Sequence, residues 1–322
     1  MHARSRNTLL LLLALALGAF YLALAIGSVS LDAGQLWRAL TRSDSGLERE
    51  IVWRLRLPRG MAAFATGALL ASGGALMQVL LRNPLADPYV LGISGGAAVA
   101  ALLVIWAGWG GGWTEAGTFA GALLSMALVF GIARGHGDWT PTRLLLTGVI
   151  IAAGWGAVIT FILAVAPEAK LRGMLFWMMG DLSAPLAPGT ALAVAAVGLA
   201  AVLPFARDFN VMARGELTAA SLGVNIAALR GTIFVAASLF TAVAVTTAGS
   251  IGFVGLVVPH LLRLAGVGDM RVLLPGAALA GGTLVLLADT LARTLIAPQQ
   301  LPVGVITAFI GVPIFLYLLR RG

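Results

Sequence analysis

The chain has 322 residues, 60% of them apolar and only 11% charged, with a formal net charge of +8 and a mean hydropathy of +0.98. A water-soluble domain carries about 25% charged residues, so composition leaves a polytopic helical membrane protein, and the runs lack the alternation of an outer-membrane barrel. There is no cysteine, which excludes disulfides and thiolate metal sites, and His2, His136 and His260 are too scattered in sequence to form an obvious metal centre.

The positive charge comes from twenty arginines and one lysine, Lys170. The arginines stand singly between apolar runs rather than in a stripe, which speaks against nucleic acid and for anchoring at acidic lipid. A Walker A loop needs a lysine to reach the β/γ-phosphates, and Lys170 sits in Pro-Glu-Ala-Lys without the glycines. ATP-driven work therefore requires a second subunit.

In chain order, residues 9–30 read as a first span, longer than a signal-peptide core and kept in the mature chain. Residues 31–59 read as a polar loop with six arginines, ending in the cluster Arg54, Arg56 and Arg59. Next comes a charge-free run, 60–81, whose Gly67, Ala68, Ala71, Gly73, Gly74 and Ala75 let a neighbouring helix approach closely. A helix that only floated in lipid has no use for so many small residues. The chain is expected to be organised around this run. Further charge-free windows cover 88–114, 116–133, 144–167, 182–206, 231–262, 272–288 and 294–319. The 231–262 window is too long for one span, and Ala-Gly-Ser-Ile-Gly at 248–252 splits it. Ten spans result, with both termini on one side.

Two connections stand out. Residues 167–188 are amphipathic, and either lie at the headgroup level or line the mouth of a pathway. Residues 207–230 form the longest polar segment on the inner side, a helix-forming stretch closed by Gly223. That stretch reads as a docking surface or as a plain solvated connector. A faint internal echo links Leu80-Leu81-Arg82-Asn83-Pro84 with Pro259-His260-Leu261-Leu262-Arg263, and repeated halves are common in transporters. No catalytic constellation is visible. The windows 144–166 and 302–319 hold no acid or base. Ion-coupled carriers place an ionisable group at mid-membrane. An ion-coupled secondary transporter or a channel for a bulky solute is thus the alternative, and walls moved by a separate motor the favoured reading.

Arg56-Leu57-Pro58-Arg59, Gly73-Gly74-Ala75-Leu76-Met77-Gln78, Asn83-Pro84-Leu85-Ala86-Asp87-Pro88 and Leu91-Gly92-Ile93-Ser94-Gly95-Gly96 resemble the FecCD-type permeases of ABC importers for cobalamin, haem or iron–siderophores. The resemblance continues through Phe176-Trp177-Met178-Met179-Gly180, Gly252-Phe253-Val254-Gly255-Leu256-Val257-Val258-Pro259-His260 and Leu301-Pro302-Val303-Gly304, and so covers nearly the whole chain. It implies an all-α type II importer permease of ten transmembrane helices with an internal repeat, one domain over 1–322. The expected setting is the bacterial inner membrane with both termini cytoplasmic. Expected partners are a second copy, two ATP-binding cassette subunits and a periplasmic substrate-binding protein. ATP and magnesium would sit on the ATPase, and no cofactor on this chain.

By the same resemblance, Arg56, Arg59 and Arg293 receive carboxylates of the binding protein. Arg293 alternatively pairs with Asp289 at i,i+4. Coupling helices lie at about 208–230, with Arg214, Gly215, Glu216, Leu217, Ala220, Leu222 and Gly223 facing the ATPase. The inner gate maps to Asn83, Leu85, Pro141 and Thr142, where Pro141 departs from the family's small polar residue. A periplasmic gate helix at about 168–182 presents Phe176, Trp177 and Met178, which look most like the cobalamin permeases. Cobalamin is the first substrate expected, ahead of haem and ferric siderophores.

Overall fold

The computed structural model describes residues 3–41, 46–135, 140–183 and 188–321; His2, His136, Arg42 and Asp44 lie outside them. In chain order the helices are α1 (Ala3–Ala25), α2 (Ala33–Thr41), α3 (Leu47–Glu50), α4 (Leu57–Leu80), α5 (Ile93–Ala107), α6 (Trp113–Arg134), α7 (Pro141–Val165) and α8 (Glu168–Met178). They continue as α9 (Pro188–Val202), α10 (Ala206–Met212), α11 (Glu216–Ser221), α12 (Ile226–Ala248), α13 (Val254–Leu264), α14 (Met270–Thr294) and α15 (Val303–Arg321). Among the described residues, seven helical segments are long and apolar enough to cross a membrane, and α5, α13 and α15 are shorter apolar helices, so ten apolar helices stand where ten spans were expected.

Helix α4 is the hub. It packs against α14, α12, α13 and α9, and 94% of its apolar window is buried, against 11% for α7. Two glycines explain how it gets so close. A Cβ added at Gly67 would collide with the Gly281 carbonyl on α14, and one at Gly74 with the Gly255 carbonyl on α13. Small residues at such crossings let backbones meet, and the van der Waals contact replaces the hydrophobic drive that lipid cannot supply. The break in the 231–262 window falls where the sequence puts it. Helix α12 stops at Ala248, Gly249 (φ +68°) turns the chain, and α13 begins at Val254.

The polar loop expected at 31–59 is instead largely helical, which corrects that expectation. Helix α2 turns Leu36 and Ala39 inward onto Val52 and Leu57 while Trp37 stays outside. Residues Ile51–Arg56 form a π-helical stretch leading directly into α4. The wider hydrogen-bond register lets one extra residue into the turn and re-aims the side chains that follow it. The 88–114 window shortens to α5, because Asp87 accepts from the Tyr89 amide and starts a 3₁₀ turn, Pro88–Leu91, before it.

Alternation of the spans gives the molecule two ends. Helices α1, α5, α7, α12 and α14 finish at one end, the arginine end, where α8 packs against the close of α5. The elbow end holds α10, α11 and the starts of α5, α7, α12 and α14.

Candidate functional site

At the arginine end a cleft of about 650 Å³ is lined by Arg54, Arg56, Arg59 and Arg293 together with Ser183 and Gln300. The three arginines singled out from the sequence therefore do come together. They are not free, however. The Arg56 guanidinium donates to the carbonyls of Leu24 at 2.6 Å and Ala25 at 3.0 Å, and also to that of Val29. Leu24 and Ala25 close α1, where a cation suits the negative end of the helix, and Val29 lies in the turn that follows. Arg59 donates from Nε to both Asp289 oxygens at 2.9 and 3.0 Å, and from Nη1 to the Gln300 side chain at 2.8 Å. Arg293 places Nε 3.4 Å from the same carboxylate and donates to the Ala23 carbonyl at 3.0 Å. Asp289 is 1% exposed, so two arginines share one buried acid. The exposed cation of the cleft is Arg54, 78% exposed at its side chain and 3.5 Å from Glu50. Sequence reading did not assign a role to Arg54 or Gln300.

At the elbow end, α10 and α11 are strapped to two long helices. Asn210 donates to Asp269 at 2.8 Å and accepts from the Met270 amide at 2.8 Å, which ties α10 to the first turn of α14. Glu216 forms an ion pair with Arg230 in the second turn of α12, with Nε to Oε1 at 3.2 Å. The Arg230 hydrogen bonds, with help from its charge and from Arg82, hold the Glu216 carboxyl below its ordinary range. Ala219 is buried and seats α11. Arg214, Leu217, Ala220, Leu222 and Gly223 face outward, with Leu217 89% and Leu222 67% exposed. Gly215 (φ +128°) and Gly223 (φ +82°) bracket α11 in conformations that side chains resist.

Beside the elbow lies a smaller cleft of about 320 Å³, lined by Asn83, Leu85, Pro141 and Thr142, and also by Arg82, Glu216 and Arg230. All four sequence-assigned gate residues thus meet the elbow's ion pair. Pro141 occupies the first helical position of α7, capped by Thr140, whose hydroxyl accepts from the Arg143 amide at 3.2 Å. A proline there gives up an N–H that has no helical partner anyway, which accounts physically for the departure.

Helix α8 carries Phe176, Trp177 and Met178, all half-buried. It is tethered at both ends. Lys170 donates to the Trp106 carbonyl at the close of α5. Past its last turn, Gly304 and Val303 donate to the carbonyls of Met179 and Gly180 at 3.0 and 3.1 Å, and Asp181 donates to Ala248 at 2.9 Å. The helix therefore touches the ends of α5, α12 and α15 at once. Met174 is fully buried with Leu102 and Ile162, while the Arg172 guanidinium lies 5.6 Å over the Phe176 ring. Helices α7 and α15 present uncharged, exposed faces, with Ile150 71%, Phe161 64% and Phe309 75% exposed.

Residues 11–321 match the FecCD transport family. The vitamin B12 import system permease protein BtuC of Yersinia enterocolitica is 41% identical over 297 residues, covering 91% of this chain and 88% of that one. Its counterpart in Salmonella paratyphi A is 39% identical, covering 91% and 90%. Among solved structures, an inward-facing putative metal-chelate type ABC transporter superposes with a TM-score of 0.85 at 29% identity, covering 99% of this chain and 100% of that one. PsaBC from Streptococcus pneumoniae, at 16% identity and a TM-score of 0.59 over 84% of this chain and 92% of that one, shares the fold. The chain belongs to the FecCD transport family, the multi-pass membrane permeases of ABC transporters, in which ATP hydrolysis resides on separate subunits.

Proposed function

We propose that this permease imports cobalamin, in preference to haem or a ferric siderophore, as a homodimer in the bacterial inner membrane with both termini cytoplasmic. Two ATPase subunits dock at the elbow end and a substrate-binding protein at the arginine end. The substrate passes between the uncharged faces of α7 and α15 of two copies. The naming of the BtuC relatives supports the substrate. The absence of charge on 144–165 and 303–319 fits a large solute that must slide rather than bind.

One observation carries the mechanism: each elbow helix is bonded to the first turns of a long helix whose far end holds functional machinery. Helix α14 starts at the Asn210 clamp and carries Asp289 and Arg293 into the arginine cleft. With 25 residues it spans about 37 Å. Helix α12 starts at the Glu216 pair and ends at Ala248, which holds the tail of α8. A push on the exposed leucines of α11 thus tilts two rods that reach the outer gate and the docking cleft. Asn83, Leu85, Pro141 and Thr142 form the inner gate beside the same ion pair, so inner closure and ATPase movement share a residue. A binding-protein carboxylate would meet Arg54 first and then compete with Asp289 for Arg59 and Arg293.

The test is reconstitution of the permease with its ATPase and binding protein in vesicles. ATP-dependent cobalamin accumulation that survives an ionophore is expected. Accumulation by the chain alone, or its collapse with the ion gradient, would overturn the proposal in favour of an ion-coupled carrier.

A further inference from the structure

Away from both clefts, a third cavity of about 400 Å³ opens between α6, α9 and α12 at the arginine end. Among the described residues, six buried side-chain atoms lack a hydrogen-bond partner, and two of them, Glu115 Oε2 and Thr246 Oγ1, belong to residues lining this cavity. Unpartnered buried polar atoms are rare and costly, and a carboxylate oxygen is the costliest kind. The polarity of the walls runs in one direction. Glu115 and Thr190 stand in the first turns of α6 and α9, and Thr246 in the last turn of α12, so all three lie at the ends of membrane-length apolar segments, where headgroups are expected. One turn deeper toward the centre of the bilayer, the lining changes to Phe119, Val194 and Val243. Glu115 is the only charged side chain among the lining residues.

We propose that this groove is a binding site for a lipid with a primary ammonium headgroup, of the phosphatidylethanolamine class. The ammonium donates to Glu115 Oε2 and to Thr246 Oγ1, and an acyl chain lies over Phe119, Val194 and Val243. The sign of the lone charge rejects an anionic headgroup. The two waiting acceptors reject a quaternary ammonium, which has no N–H to give. The groove also touches the last turn of α12, the rod that holds the tail of α8, so an occupied groove braces the outer gate from the lipid side.

The test extracts the full chain from bilayers of equal parts phosphatidylethanolamine, phosphatidylcholine and phosphatidylglycerol, and reads retained lipid by native mass spectrometry. Phosphatidylethanolamine is expected to be retained about tenfold over either competitor, the factor that a charge-assisted hydrogen bond supplies. Glu115→Gln, which keeps the shape, is expected to remove that preference, and Thr246→Val to reduce it. Equal retention of the three lipids by the unmodified chain would overturn the proposal. So would retention of none, or an undiminished preference in Glu115→Gln. The lipid ranking needs no variant, so a folding defect in either substitution leaves the proposal open to refutation.

Discussion

The two ends of the molecule treat charge in opposite ways. At the arginine end, Arg56 and Arg59 are 5% and 9% exposed and already bonded to carbonyls, Asp289 and Gln300. At the elbow end, the ion pair of Glu216 and Arg230 sits behind, and bare leucines face outward. The first surface is a preorganised electrostatic rim, whose Arg56 and Arg59 are held in place by bonds within the chain. The second is an apolar contact that gains its full stabilisation only when water is excluded by a partner. Electrostatic rims mainly set encounter rate and register, whereas apolar anchors set residence time. Under the proposed function, a docking protein that comes and goes each cycle suits the former, and a resident motor suits the latter.

The largest effect expected is at Asp289. Asp289→Ala leaves Arg59 and Arg293 without their shared anion and should cost about 3–5 kcal/mol. Thermal unfolding of the purified chain measures it, and a shift below that of a surface control would show the pair to be dispensable. Next comes the elbow. Leu217→Asp and Leu222→Asp should each weaken ATPase binding by about 2 kcal/mol, some thirtyfold, with the fold unchanged. Affinity capture of the ATPase by each variant reads this directly.

A smaller effect is pH-dependent. Because the Glu216 carboxyl is held below its ordinary value of 4.5, its pairing with Arg230 is fully present above that value. It is lost as pH falls through the lower folded pKa. ATPase-to-transport coupling should therefore survive mild acidification to about pH 5 and fall off only below the usual carboxylate range. Glu216→Gln should flatten that acid limb. The smallest effect belongs to Arg54. Arg54→Glu should slow binding-protein docking by only a few fold, about 0–1 kcal/mol, and reduce its salt dependence. Reversal at Arg56 or Arg59 should instead lower stability first, which separates the exposed cation from the structural ones.

Much of this was legible in residues that act locally. The glycines of α4 announced a packed helix, the 248–252 run announced a break, and the stretch closed by Gly223 announced a separate short helix. Composition alone separated membrane from water. What stayed hidden depends on partners distant in the chain. Arg59 and Asp289 lie 230 positions apart, and nothing in either neighbourhood says that the arginine points inward. The helicity of 31–59 was masked because α2 is short and half polar, so its inward Leu36 and Ala39 look like scattered apolar residues in a charged loop. The cleft beside the elbow had no local signal, since 83–85 and 141–142, grouped beforehand only by resemblance, come together by tertiary packing around the elbow.

The central claim is that α12 carries movement from Glu216 to the tail of α8. The chain has no native cysteine, so an Arg172→Cys spin label on α8 can be read across the proposed dimer by pulsed electron resonance, with and without ATP. The label-to-label distance should shift on ATP binding in the assembled transporter. It should stop shifting in Glu216→Ala, although the ATPase still binds and hydrolyses. An undiminished shift in that variant would mean that the gate is driven by some other route.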